Sequence, residues 1–334
     1  MLCLRPEELK SGMRLARPIF NKQGVMLYER NTKLTQQSVN SIINFGLLGV
    51  FVLEPTDPVP DITEEERNFE RFQTMAMFAL KDELDGLTNG TGMKNIENLA
   101  AKIIKTYGGL AHKINFIGSL RSGEDYIYKH SLNVAILCAI ISSKIGMGRV
   151  DQMDTVIAAL IHEVDNDAVQ GDASISSSIK VILNQNFKEL SGTAPSNRKL
   201  LDGTRALRVA DVFDSMTEMG MGNETYSQIT VVKYFLSEQE MYGDRIIGGL
   251  VKGINILNPG VCVELTNGTR ALVIKENPKN LLRPMLLGLD DNNIYDLSSD
   301  RIYSVVQIRD ILKTMDKRVK LSENFIEQFH TEQS

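Results

Sequence analysis

The sequence predicts a multidomain, mainly α protein: a helical bundle core flanked by a small α+β N-terminal module and a small β C-terminal module. Three observations carry this. Between residues 119 and 255 apolar residues recur at three- and four-residue spacing in long runs, the pattern of buried helices. Before residue 54 and after residue 256 the apolar runs shorten and turn signals multiply. Pro55, Pro58 and Pro60 stand close together in 54–61, where they disrupt helix and sheet alike and set the first module apart. A chain of 334 residues has room for two or three domains. The divisions expected are 1–54, a small α+β module; 55–118, a linker and amphipathic helices; 119–255, the helical core; 256–303, a small β module; and 304–334, a C-terminal helix and tail.

In the first module, Met13-Arg14-Leu15-Ala16 and Val25-Met26-Leu27 alternate with a turn signal at Lys22-Gln23-Gly24. A helix is expected over 35–45, with Val39, Ile42 and Ile43 at helical spacing and Gly46 as its stop, then an apolar strand over 50–53. After the prolines, Thr63-Glu64-Glu65-Glu66 offers a cap and an acidic first turn. Phe69, Phe72, Met75, Ala76 and Ala79 then mark one face of a long helix. Asn89-Gly90-Thr91-Gly92 interrupts it, and a second helix carries Ile96, Leu99, Ala100, Ile103 and Ile104 on one stripe. Such a stripe needs cover, which either the bundle or a second copy of the chain in a homodimer would supply.

The core is expected to hold helices over 126–145, ended by Gly146, over 150–163 and over 200–219. Between the last two lies a polar stretch, 167–198, rich in Ser, Asn and Asp, with one apolar helical patch at Ile175, Ile179, Val181 and Ile182. From Asn258-Pro259-Gly260 the period changes to two. Strands over 261–265 and 270–274 flank Thr266-Asn267-Gly268-Thr269, where Asn-Gly signals a hairpin, and 283–289 with 294–297 make a second. An amphipathic helix is expected from 306 to about 329.

A net charge of −5 without a Lys/Arg cluster argues against a nucleic-acid groove or a polybasic membrane patch. Cys3, Cys138 and Cys262 are far apart and odd in number, so no disulfide framework or zinc knuckle is indicated and a cytoplasmic location suits them. The first residues lack the apolar core of a signal peptide, and the longest apolar stretches fall short of the roughly 20 residues a span requires. No direct membrane insertion is expected.

The chemistry concentrates where the apolar run 156–161 ends abruptly in His162-Glu163. An imidazole beside a carboxylate suits a borderline or hard cation, provided that other elements supply further ligands. His130 and Asp211 qualify: each sits on an apolar-periodic segment and would point a polar group inward unless something there receives it. The candidate metal ligands are therefore His130, His162, Glu163 and Asp211. Asp214, one turn beyond Asp211, can orient a ligand, and Ser131 and Thr217 are further candidate donors around the site.

The order His, His-Glu, Asp resembles the metal site of the HD superfamily, and the wording of 126–135, 158–165 and 209–217 is closer still to the HD-GYP branch, the bacterial cyclic di-GMP phosphodiesterases. The phrases at 9–16 and 24–27 are similar to a small module that often precedes such domains, and the Arg283-Pro284 strand to a β extension that follows some of them. The resemblance implies an HD-type bundle, iron or manganese as cofactor, cyclic di-GMP as ligand or substrate, and a cytoplasmic signalling role with a protein partner. The chain departs from that pattern in three ways. Glu163 stands where the family has Asp, Asp165-Asn166 stands where Gly-Lys would follow, and 164–210 holds neither a histidine nor the Gly-Tyr-Pro signature.

The expectation is a degenerate, non-catalytic HD-GYP-type signalling protein that regulates by binding cyclic di-GMP or a protein, with one divalent ion or none. Two alternatives stand beside it: a metal-dependent phosphodiesterase working with the reduced site, and a pure protein-interaction scaffold.

Overall fold

The computed structural model describes residues 2–45, 50–53, 64–115, 126–190, 200–217 and 226–312. The proline linker, the expected stop at Gly46 and the chain beyond 312 lie outside them.

The N-terminal module contains β1 (Leu2–Leu4), β2 (Arg14–Leu15), β3 (Ile19–Phe20), β4 (Met26–Tyr28), α1 (Gln36–Asn44) and β5 (Val50–Leu53). β5 is the central strand, antiparallel to β1 and to β2, and β3 pairs with β4. Thr35 and Ser38 cap α1 reciprocally, each hydroxyl accepting the other's backbone N–H. Val39 and Ile42 face an apolar cluster that belongs to this module alone, while Ile43 is turned to solvent.

Next come α2 (Glu64–Thr88) and α3 (Ile96–Ile103), the latter running into one π-helical turn at Ile104–Gly108. The buried stripe on these helices, Ala76, Leu80, Leu84 and Leu87 with Ile96, Leu99, Ala100 and Ile103, is covered by the bundle itself; Phe69 and Phe72 pack at its edge, while Ala79, expected on that face, is exposed because the stripe continues through Leu80 instead.

The bundle comprises α4 (Tyr126–Lys144), α5 (Arg149–Ile161), α6 (Asn166–Gly171), α7 (Ser177–Leu190), α8 (Asp202–Thr217), α9 (Gln228–Ser237), α10 (Gln239–Tyr242) and α11 (Asp244–Gly253). α4 is its axis. Every residue from His130 to Ser142 is buried, as a helix packed on all sides requires, with α2, α5, α8 and α11 around it. Gly146 ends the helix in the left-handed region, at φ 66°, while the Met147 N–H returns to the Ser142 carbonyl. α11 approaches closely because its glycines lack side chains: a Cβ on Gly253 would stand 2.0 Å from Ile140 Cγ2.

The polar stretch after α5 is more ordered than its composition suggests. It forms α6 and α7, with Ile175, Ile179 and Ile182 buried but Val181 42% exposed. Gln185 secures α7 to the start of α8 by accepting from the Leu201 N–H at 3.1 Å and the Thr204 hydroxyl at 2.7 Å.

The C-terminal part contains β6 (Cys262–Leu265), β7 (Arg270–Lys275), β8 (Met285–Gly288), β9 (Ile294–Asp296), α12 (Asp300–Tyr303) and β10 (Ile308–Ile311). The sheet is antiparallel in the order β10-β6-β7-β8-β9, and the two expected hairpins are β6-β7 and β8-β9. The helix expected from 306 is corrected here, since residues 308–311 are an edge strand. Val306 and Ile308 are buried while Gln307 and Arg309 are exposed, a period of two that β6 rewards with a ladder. Lys233 on α9 clamps the strand, donating to the carbonyls of Ile308 at 2.6 Å and Arg309 at 2.9 Å. One continuous apolar cluster runs from α2 through the bundle into this sheet. The chain is mainly α, with small sheets towards either end, and no helix among the described residues is long and apolar enough to cross a membrane.

Candidate metal centre

Three elements bring the site together. α4 supplies His130 in its second turn, 1% exposed; the C-terminus of α5 supplies His162 and Glu163; α8 supplies Asp211 and Asp214. His162 is the cap residue of α5, and its Nδ1 lies 2.8 Å from the Ala159 carbonyl, one of the acceptors that a helix end leaves open. A carbonyl only accepts, so Nδ1 carries the proton and Nε2 is left with a free lone pair. His130 is oriented the same way round. Its Nδ1 donates to Asp214 Oδ2 at 2.7 Å, and its Nε2 faces the site.

The two Nε2 atoms are 3.2 Å apart. Asp211 Oδ1 stands 3.2 Å from that of His130 and 3.9 Å from that of His162, and Glu163 Oε1 stands 3.5 and 3.4 Å from the same two atoms. Donors about 2.1 Å from one ion stand roughly 3.0 Å apart at a right angle and roughly 3.4 Å apart at the tetrahedral angle. His130, His162 and Asp211 offer ligand atoms all within 4.8 Å of one another and can hold a metal ion; Glu163, 34% exposed, borders them on the solvent side.

The electrostatics favour a cation. Burial opposes a charge on His130, but hydrogen bonds to Asp211 and Asp214 and their negative charges raise its pKa to about 9. Burial lowers the pKa of His162, assisted by the neighbouring His130. Burial works against the Asp211 charge too, yet the His130 hydrogen bond and the nearby His162 hold its pKa below the ordinary value. In the metal-free state a proton therefore sits on His130 among acceptors, where a cation would otherwise be. His130 has its pKa raised above the ordinary 6.5 of histidine, so its charge stabilises the metal-free fold below about pH 6.5, and that stabilisation is lost as pH rises through about 9. Metal uptake near neutral pH should then release about one proton per chain, and apparent affinity should climb about tenfold per pH unit towards that value. Calorimetry in two buffers of different ionisation enthalpy measures the release; none would show that the ion does not displace this proton.

The other candidates divide. Asp214 orients His130 and also accepts from Asn133 Nδ2 at 3.0 Å. Ser131 is fully buried, and its hydroxyl has no hydrogen-bond partner among the described residues. Thr217 donates to the Phe213 carbonyl at 2.7 Å within its own helix rather than to any of the ligands. Asp165, one of the departures from the family pattern, has local work: it is the N-cap of α6, accepting from the N–H groups of Asp167 and Ala168.

Sequence reasoning missed Asn133 and Tyr126. The first is a fully buried amide three residues after His130, a polar interruption of an apolar helix that signals a partner inside. The second stacks on the His130 ring at 5.3 Å with planes 18° apart, from one turn earlier in α4. A buried polar residue within a turn of a candidate ligand is the signal that finds the first of these.

No family model matches the chain, and searches of curated proteins and of solved structures likewise return no match.

Proposed function

We propose that the chain is a reduced HD-GYP-type signalling protein that holds one divalent ion and acts by binding cyclic di-GMP, or a protein partner, without hydrolysing it. The observation that supports this reading most is the single convergence of His130, His162, Asp211 and Glu163, with Asp214 orienting the first. His, His-Glu and Asp meet from three separate segments in the order on which the resemblance rests. The mixed imidazole and carboxylate donors suit iron or manganese, and a cytoplasmic location agrees with that choice.

The proposed role stops short of turnover. A bound ion supplies a polarised phosphoryl oxygen and a more acidic water. Efficient phosphodiester hydrolysis in two-metal sites also uses a second ion on the leaving oxygen. Residues 164–210 contain no histidine, and among the described residues His130, His162 and Asp211 are the one group of its kind. Glutamate is also one methylene longer than aspartate, and a misplacement of about 1 Å costs on the order of 100-fold in rate. His130 and His162 hold the ion, Asp214 fixes the His130 tautomer, and the half-exposed Glu163 leaves the site's outer edge open to a ligand.

That open edge favours one second reading, residual phosphodiesterase activity. Titrating manganese-loaded protein with cyclic di-GMP and chromatographing the products separates the readings. Binding without a linear product is expected, and a His130→Ala, His162→Ala, Asp211→Ala triple variant should lose the binding. A linear product formed by the wild type alone would establish the phosphodiesterase. No binding by either protein would leave only the protein-partner role.

A further inference from the structure

We propose that α2 couples the N-terminal module to the orientation of His130 through a hydrogen-bonded chain, buried from Asn133 inward, in which Gln73 and Asn133 are positioning residues. The inference rests on the reading of His130 as a metal ligand. The chain has three bonds. Gln73 on α2 donates from Nε2 to Asn133 Oδ1 at 3.3 Å; Asn133 on α4 donates from Nδ2 to Asp214 Oδ1 at 3.0 Å; and the other oxygen of Asp214 receives His130 Nδ1 at 2.7 Å. Asn133, Asp214 and His130 are each 1% exposed and the half-buried Gln73 closes the outer end, so a side chain at 73 that fills the space without donating leaves the Asn133 oxygen with no partner.

The chain has a direction. Asp214 uses its two oxygens to accept from two donors, so Asn133 must turn its amide nitrogen toward the carboxylate and its oxygen toward α2. Among the described residues, Gln73 is the donor that satisfies that oxygen. With the donor gone, the Asn133 oxygen is orphaned, and a flipped amide would set oxygen against the Asp214 carboxylate. Either outcome loosens the group that holds the His130 tautomer, and with it the lone pair aimed at the site.

The other end of the chain is gripped by the N-terminal module. Glu70, three residues before Gln73 and hence on the same face of α2, accepts from Arg17 Nη1 at 2.6 Å, and the Arg17 guanidinium lies 4.8 Å over the Phe51 ring of β5. Gly24 of the β3-β4 hairpin lies so close to Met75 that a Cβ there would stand 2.4 Å from its sulfur. One helical turn thus carries both the contact with the module and the contact with the site. At 3.3 Å, the Gln73 bond breaks if α2 slides by about an ångström. An input that moves the module against the bundle would in this way change how firmly His130 is held.

The test compares full-length Gln73→Leu, Gln73→Glu, Gln73→Lys and Arg17→Ala with the wild type by two readouts. The first is the His130 Nδ1–H resonance in metal-free protein labelled with ¹⁵N-histidine, which reports its bond to Asp214; the second is cobalt(II) affinity. Gln73→Leu and Gln73→Glu should shift the resonance upfield and weaken cobalt binding about 3- to 10-fold, below the 10- to 100-fold typical of a group in direct contact with a ligand. Gln73→Lys keeps a donor and should stay close to wild type. A side chain needed only for packing would not divide the variants by donor capacity. Arg17→Ala should move the resonance in the same direction by a smaller amount. An unmoved resonance in Gln73→Glu, or in Arg17→Ala, overturns the coupling even when the wild type binds cobalt. Failure of the wild type to bind cobalt overturns the metal reading instead, and the resonance then decides the coupling on its own.

Discussion

Protein purified without oxygen should carry about one equivalent of iron or manganese per chain, and His162→Ala should carry almost none. The effect is large because His162 is aimed at the site by its own helix: the Ala159 carbonyl takes the Nδ1 proton and leaves Nε2 as a lone-pair donor 3.2 Å from that of His130. Alanine removes the donor, and no other histidine stands in segments 131–161 or 163–329 to replace it. Losing an orienting partner of a ligand already costs 10- to 100-fold in affinity, so losing the ligand itself should cost on the order of 100-fold or more. The structural cost is small by comparison, about 1 kcal/mol for a carbonyl at a helix end that loses its partner. Elemental analysis of both proteins, with circular dichroism to show that the variant is folded, makes the measurement. Equal metal in the two proteins would remove His162 from the ligand set.

The second large effect is expected at Asp214, which an ion need not touch. Asp214→Asn keeps shape and volume but replaces one acceptor with a donor. Among the described residues the side chain now faces two donors, His130 Nδ1 and Asn133 Nδ2, with one oxygen to offer them. If the new amide keeps Asn133, its nitrogen confronts His130 and forces the proton to Nε2, where it blocks the metal. If it keeps His130, Asn133 must flip and lose its fit. Metal affinity should fall 10- to 100-fold by either route, read by competition with a chelating dye. Metal-free protein should also lose roughly 3 kcal/mol in chemical denaturation at neutral pH, because the charge on His130 is stripped of a buried counter-charge. An unchanged affinity would mean that Asp214 is a packing residue.

The two effects differ in how visible they were beforehand. His162-Glu163 could be read directly, because an apolar run that ends in two polar, metal-capable groups demands an explanation from chemistry. Asp214 was legible as a residue one turn from Asp211 but not as the holder of His130, since that role joins positions 84 residues apart in the chain. Gln73 was not legible at all: on α2 it reads as an ordinary polar residue of an amphipathic helix, and its meaning comes only from what α4 places opposite it.

Periodicity alone determined most of the helices and both C-terminal hairpins, because burial of one face leaves a record every 3.6 or two residues. Residue type marked the four candidate ligands, since it sets what can bind a cation, and the departures around them follow from the resemblance alone. Where a short apolar pattern fits two periods, the chain is silent. Residues 306–311 satisfy helix and strand alike, and the open edge of β6 selected the strand. The stripe on α2 and α3 asked for cover without naming it, and the bundle supplied that cover. Tertiary structure alone turned two imidazoles and two carboxylates into one site and tied its buried side to the N-terminal module. Hydrogen bonds between distant segments depend on where helices cross, and crossing geometry is a property of the packed whole.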